Sequence, residues 1–255
     1  MGLDESGQKM SKSKGNVIDP TMVLNQYGAD TFRLWAASEV SVGSDFNISL
    51  QKISGTGKFL TKLWNIARFI SLVPKPDVDL GFEQLTSTDK WMNSELSKLI
   101  QDSLDGYQEY NFFIPSNLVR DFTWNTFAAH YIELAKGRAY GQGFSESERL
   151  SAQYTLHLAL RTILLLLAPI IPFVTEQIWL SLYSETSIHN EKFPEPQKLE
   201  RDYLNLEKEL LEFNSLVWNE KKSKGMSLKD PIQIEIPANL QSLARDLRVM
   251  HNLKS

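Results

Sequence analysis

The chain of 255 residues contains no cysteine, so disulfides and thiolate metal sites are excluded and nothing points to an oxidising compartment. Histidine is scarce. His130, His157, His189 and His251 are scattered without H-x-x-x-H or H-x-H spacing. Each reads as a surface or satisfied core residue, and no metal site is expected. The familiar phosphate loops are missing too: there is no G-x-x-x-x-G-K-[ST] and no strand–G-x-G-x-x-G–helix unit. The most apolar run, TILLLLAPIIPFV (Thr162 to Val174), is short for a membrane span, carries two prolines and follows Arg161. It reads as a buried core helix. The opening MGLDESGQKM lacks the apolar centre of a secretory leader, so a cytoplasmic chain without a membrane partner is the expectation.

What is present fits a globular protein with a real core: 42% hydrophobic and 23% charged residues. The net charge of −4 is unevenly spread. Residues 1–75 carry nine Lys/Arg against six Asp/Glu, residues 76–200 nine against seventeen, and residues 201–255 nine against eight. The acidity lies in the middle, which leaves a basic surface available at the front.

Helical periodicity dominates. Pro20 opens a short helix that Gly28 closes, and Asp30 is expected to cap a second, TFRLWAAS. From Leu50 to Leu72, Ile53, Leu60, Leu63, Trp64, Ala67 and Ile70 fall on one face of a long helix. A boundary rich in Pro, Asp and Thr follows at Val73 to Lys90. Four further helices are expected, at about 89–107, 115–137, 145–168 and from Pro172 on; short turns between long amphipathic helices imply an antiparallel bundle. After the breaker FPEPQ come a helix at about 201–222, an edge strand PIQIEIP and a terminal helix.

The chemistry is concentrated in GQKMSKSKGN, residues 7–16. Three lysines supply mobile point charges, and two serines and the backbone supply donors, between glycines that permit closure. Cations so placed suit a transition state that gathers charge on a departing pyrophosphate. The same composition also describes a solvated, disordered tail.

Lys9-Met10-Ser11-Lys12-Ser13 spells the KMSKS string of class I aminoacyl-tRNA synthetases. KMSKSKGNVIDP followed by YGADTFRLWAAS resembles the valyl/isoleucyl/leucyl group. GSDFNIS, KFLTKLWNIARFI, DFTWNTFAAHYIELAK and LLLLAPIIPFVTEQIW are most similar to its valyl members, and the likeness fades after about residue 230. The resemblance implies a mainly α fold: a KMSKS and stem-contact region (1–75), an antiparallel helical bundle of the anticodon-binding type (76–200) and a small α/β appendage (201–255). It implies that Lys12 binds ATP phosphates during adenylation, with Lys9, Ser11 and Ser13 in support and Met10 as an apolar anchor. ATP with Mg2+ and a tRNA for valine are the implied ligands of the complete enzyme. The family's H-x-G-H signature is absent, so the chain reads as the C-terminal part of a longer ligase, inactive and without a bound cofactor by itself. Its partners would then include the catalytic and editing domains of the same polypeptide. An isoleucyl or leucyl enzyme, or a stand-alone helical RNA-binding module, are the alternatives. In a fragment the loop is expected to be disordered or idly packed.

On the long helix, Gln51, Gly55, Lys58, Lys62, Asn65 and Phe69 form a polar stripe, with Lys52 and Arg68 flanking. Lysines with Gln and Asn suit phosphate and base contacts, and Phe69 suits stacking on an unpaired anticodon base. Equally open is that Phe69 packs inward and the lysines are merely solvated. Phe122, Trp124, Phe127 and Tyr131 read as bundle core. Lys221, Lys222 and Lys224 read as charges at a helix C-terminus, with tRNA phosphate as the other reading.

Overall fold

The computed structural model describes residues 2–41, 43–141, 143–197 and 200–254. Two-residue strands β1 (Gly2–Leu3) and β2 (Phe46–Asn47) pair in parallel. Helices make up the rest: α1 (Pro20–Tyr27), α2 (Ala29–Glu39), α3 (Leu50–Ile70), α4 (Ser87–Gln108) and α5 (Phe113–Asp121). A π-helix (Phe122–Tyr131) runs on into α6 (Ile132–Ala139). Then come α7 (Glu146–Leu167), α8 (Pro172–Leu182), α9 (Arg201–Leu204), α10 (Leu206–Ser223) and α11 (Ala244–His251). By composition and length α7 is able to cross a membrane, yet most of its apolar stretch is buried in the protein, as in a core helix.

The chain forms two compact units. The first takes Met1–Phe69, Leu99–Trp124 and Arg161–Pro194. Its α1 begins as the sequence reads, with Pro20 at N1 and the Asp19 carboxylate accepting the Thr21 amide at 2.8 Å. Asp30 departs from its expected role. Gly28 occupies the cap of α2, and Asp30 lies one step inside, buried. Its carboxylate instead accepts the amides of Phe173 and Val174 at 3.3 and 2.7 Å, so it caps α8, which has no side-chain cap of its own. Arg33, one turn on, donates to the carbonyls of Ile170 and Pro169. A cap chosen by tertiary contact leaves no local spacing to read.

The buried face of α3 is Ile53, Thr56, Phe59, Leu63, Ile66, Ala67 and Ile70. At about 100° per residue it is rotated by roughly 40° from the face expected from sequence. Phe59 and Ile66 enter the core, while Trp64 is left 47% exposed. A small core of Val23, Trp35 and Ile53 gathers Phe32 and Phe46, which lie 5.7 and 6.3 Å from the Trp35 ring.

The second unit takes Ile70–Lys98, Asn125–Leu160 and Glu195–Ser255. Arg138 of α6 is 1% exposed. Its guanidinium donates to both oxygens of Asp89 at 2.6 and 2.8 Å and to Asp246 at 2.8 Å. Tyr131, Thr86 and Ser151 also donate to Asp89, and Thr88 donates to Asp246. Burial works to raise the Asp89 pKa, but Arg138 beside it holds the carboxyl below its usual range. Close packing of α6 on α11 requires Gly137: a Cβ there would lie 2.7 Å from the Val249 side chain. Nearby, the Asn214 amide donates to Nδ1 of His130 at 2.9 Å, and Nε2 of His251 donates to its oxygen at 2.7 Å. Burial pushes both histidines down to about 4.

The expected edge strand at PIQIEIP does not form. Ile232 makes one isolated parallel bridge, to Leu253, and no ladder extends from it. The appendage is therefore helical, with a 3-10 turn at Ala238–Leu243 before α11.

Arg138→Met should cost about 3–5 kcal/mol in urea unfolding, because two buried carboxylates lose their counter-charge. A loss below about 1 kcal/mol would mean that the cluster is not what holds this unit. Glu95 supplies a pH test: burial, then the Glu207 carboxylate, push it up to about 8. With its folded pKa above the unfolded value, Glu95 favours the fold at low pH and loses that contribution as pH rises through about 8. Glu95→Gln should therefore be more stable than wild type at alkaline pH, with the gap closing towards pH 4.5; a pH-independent gap refutes the assignment.

Candidate phosphate loop and nucleic-acid interface

Of the two states expected of the loop, disordered or idly packed, disorder is ruled out: the loop is folded. After β1 the chain turns back, and Lys9 bridges Leu3 while the Met10 amide reaches the Gly2 carbonyl at 3.2 Å. Lys12–Lys14 make one 3-10 turn, ended by Gly15 at φ 66°, the left-handed conformation that glycine adopts most easily. Two residues outside the expected set hold it. The Asp4 carboxylate accepts the amides of Ser6 and Gln8, the Ser6 hydroxyl, and the Asn16 side-chain amide at 2.7 Å. Asn16 in turn accepts the Ser11 amide at 2.9 Å. Hydrogen bonds from Ser6, Asn16 and Gln8 hold Asp4 down to about 2, so it stays ionised throughout the physiological range. An Asx residue directly after the loop glycine was the available signal for Asn16. Nothing local marked Asp4, which acts across twelve residues.

This frame leaves Lys9, Lys12, Ser13 and Lys14 exposed, with Met10 and Ser11 half-buried. Among the described residues none of the three lysines makes an ion pair. The Ser11 and Ser13 hydroxyls lie 3.2 Å apart. A Cβ at residue 2 would sit 3.2 Å from the Met10 methyl carbon, so the Met10 side chain lies against the first strand. Unpaired ammonium groups beside hydroxyls on a pinned turn present the donors that a polyphosphate accepts.

On α3, Gln51, Lys52, Lys58, Asn65 and Arg68 are exposed, while Lys62 and Phe69 are half-buried. The rotated core face carries the last two to its margin. Lys52 pairs with Glu39 at 2.9 Å. Lys62 is unpaired with any acid among the described residues, and its ammonium lies 5.2 Å from the centre of the Trp124 ring. Trp124 itself corrects the core assignment. Phe122, Phe127 and Tyr131 are buried, but Trp124 is 40% exposed, because the i→i+5 bonding of the π-helix breaks the 3.6-residue register on which the core reading relied. Lys221 lies in the last turn of α10, as expected, but it is fully buried and donates to the carbonyls of Leu228 and His251 at 2.7 and 2.6 Å, which removes it as a phosphate contact. Lys224 pairs with Glu220. Among the described residues no group of three or more His, Asp or Glu is placed to hold a metal ion.

A family model described as the anticodon-binding domain of tRNA ligase matches residues 89–236, more than half of the chain. The chain belongs to this tRNA ligase family. A second model, described as tRNA synthetases class I (I, L, M and V), matches residues 1–49, which hold the folded loop. Among curated relatives, the valine–tRNA ligase of Aeropyrum pernix is 37% identical over 259 residues, covering 98% of this chain and 31% of its own length. That of Nanoarchaeum equitans is 38% identical over 254 residues, with 100% and 32% covered. The chain thus spans about a third of the length of these relatives. In fold it is similar to a LeuRS of Agrobacterium radiobacter K84, solved as a ternary complex with tRNA and LeuAMS. The TM-score is 0.58 at 18% identity, over 77% of this chain and 24% of that one.

Asp4→Ala strips the frame of its acceptor. Amide hydrogen exchange at Ser6, Gln8 and Ser11 should accelerate by at least about tenfold, while α7 amides are unchanged. Equal protection in variant and wild type would show that the turn does not need Asp4.

Proposed function

We propose that this chain is the tRNA-binding portion of an ATP-dependent valine–tRNA ligase, and that it brings the KMSKS loop to adenylation. The observation that carries the reading is the pinned turn with three unpaired lysines at its surface, in a chain whose relatives over nearly its whole length are valine–tRNA ligases. The reaction is the attack of the valine carboxylate on the α-phosphate of ATP, which releases pyrophosphate. The tRNA's terminal ribose hydroxyl then takes the acyl group from the adenylate, and AMP leaves.

Lys12 and Lys9 act on the first step, as cations at the departing pyrophosphate, where charge is greater in the transition state than in the ground state. Ser11 and Ser13 donate hydroxyl hydrogen bonds to the phosphates, and Met10 keeps the turn against the strand. Mg2+ would travel on the ATP phosphates, since the described residues offer no carboxylate cluster for it. On α3, Lys58, Lys62 and Arg68 meet tRNA phosphates, Gln51, Lys52 and Asn65 make polar contacts, and Phe69 stacks on an anticodon base. The catalytic and editing domains belong to the same cytoplasmic polypeptide.

In the full-length enzyme, Lys12→Ala should slow ATP–pyrophosphate exchange by about 10²–10³-fold with tRNA affinity unchanged. Phe69→Ala should do the converse, weakening tRNA binding about tenfold and leaving exchange intact. If neither separation appears, the assignment of roles is wrong. Charging of mixed tRNA with valine, isoleucine and leucine offered in turn decides the substrate: preference for either of the last two refutes the valine reading. ATP–pyrophosphate exchange by the 255-residue chain alone would refute its being only a portion of the catalyst.

A further inference from the structure

We propose that Trp124 is a base-stacking residue for unpaired RNA, an inference that rests on the tRNA-binding reading above and adds a second aromatic platform to it. Four rings of one segment would be expected to share one fate. Phe122, Phe127 and Tyr131 are 8%, 0% and 0% exposed, whereas Trp124 keeps 40% of its surface in solvent. Trp124 therefore stays largely out of the packing that its three neighbours share.

The helix carrying Trp124 is the second observation. π-helical bonding extends over ten residues, Phe122–Tyr131, where such turns are rare and mark functional sites. Its effect is local and specific: it turns Trp124 out of the core register while its neighbours stay in.

Charge selects the partner. The Lys62 ammonium lies 5.2 Å from the ring centre and has no acid partner among the described residues. A buried or acid-paired lysine would be spent on the fold; this one is left beside an exposed indole. An indole capped by a cation that no acid neutralises matches a nucleotide, which has a π-face for the ring and a phosphate for the ammonium. Among ligands that carry both a ring and an anion, the tRNA-binding reading above selects an RNA nucleotide. Because Lys62 lies on the α3 stripe, the indole extends that stripe sideways. A splayed single-stranded loop can then present one base to Phe69 and another to Trp124.

The test uses the intact protein and a valine tRNA transcript whose anticodon-loop uridines are replaced by 5-bromouridine. Irradiation should cross-link the RNA to the peptide that contains Trp124. Trp124→Leu should weaken tRNA binding about tenfold, or about 1.4 kcal/mol, whereas Trp124→Phe, which keeps an aromatic face, should stay within about threefold. Circular dichroism and melting establish that the variants are folded. A folded Trp124→Leu with wild-type affinity overturns the proposal, and so does a cross-link that maps elsewhere; should Trp124→Leu fail to fold, the cross-link in wild type decides. Failure of the tRNA-binding reading looks different: the wild-type protein then binds no tRNA at all, and the proposal falls with it.

Discussion

The guanidinium of Arg138 is the constraint on which the second unit depends. It is buried between Asp89 and Asp246, two carboxylates from helices far apart in the chain. One positive charge facing two negative ones in a low-dielectric interior is tolerable only if the remaining oxygens are also satisfied. Tyr131, Thr86, Thr88 and Ser151 do this, so the cluster fixes α4, α6, α7 and α11 together. None of these groups can be removed singly without leaving a buried charge short of a partner. The neutral His130–Asn214–His251 relay is a second polar knot of this kind, in which Asn214 of α10 joins the π-helix to α11.

In the first unit carboxylates perform a different task. Asp30 and Asp4 each accept several backbone amides, and each fixes the start of something: α8 in one case, the lysine-bearing turn in the other. An anion that gathers amides gives direction, because N–H groups must point at it; for buried Asp30 the amides of Phe173 and Val174 also offset part of the cost of desolvation. The turn is thereby ordered before any phosphate arrives. Among the described residues its lysines make no ion pair, so on the proposed reading none has to break before a phosphate is met. That is preorganisation of the kind that electrostatic catalysis requires.

Legibility followed the range of the interaction. Pro20 and Asp19 at the start of α1, the helical period of α3 and the KMSKS string are local, and each was readable. Asp30 was misread because its partners lie more than a hundred residues away, where no spacing rule reaches. Trp64 and Trp124 were misread for a related reason. A helical wheel fixes the relative angles of side chains, but it does not fix which arc the neighbours cover, and it fails where the bonding changes from i→i+4 to i→i+5. Lys221 looked like a surface charge because the carbonyls that hold it come from later in the chain.

The sequence by itself determined the helical class, the lysine–serine turn and its likeness to the class I ligases, since these rest on residue type and short spacing. Only the tertiary structure decided that the turn is held by Asp4 and Asn16, that the core face of α3 is rotated past Trp64, and that Trp124 faces solvent beside Lys62. It also decided that the compact units are each assembled from three separate stretches of chain, rather than following the order of residues. The physical reason is common to all of these. Burial and counter-charge belong to a side chain's surroundings, and those surroundings are built by parts of the chain that are distant in sequence.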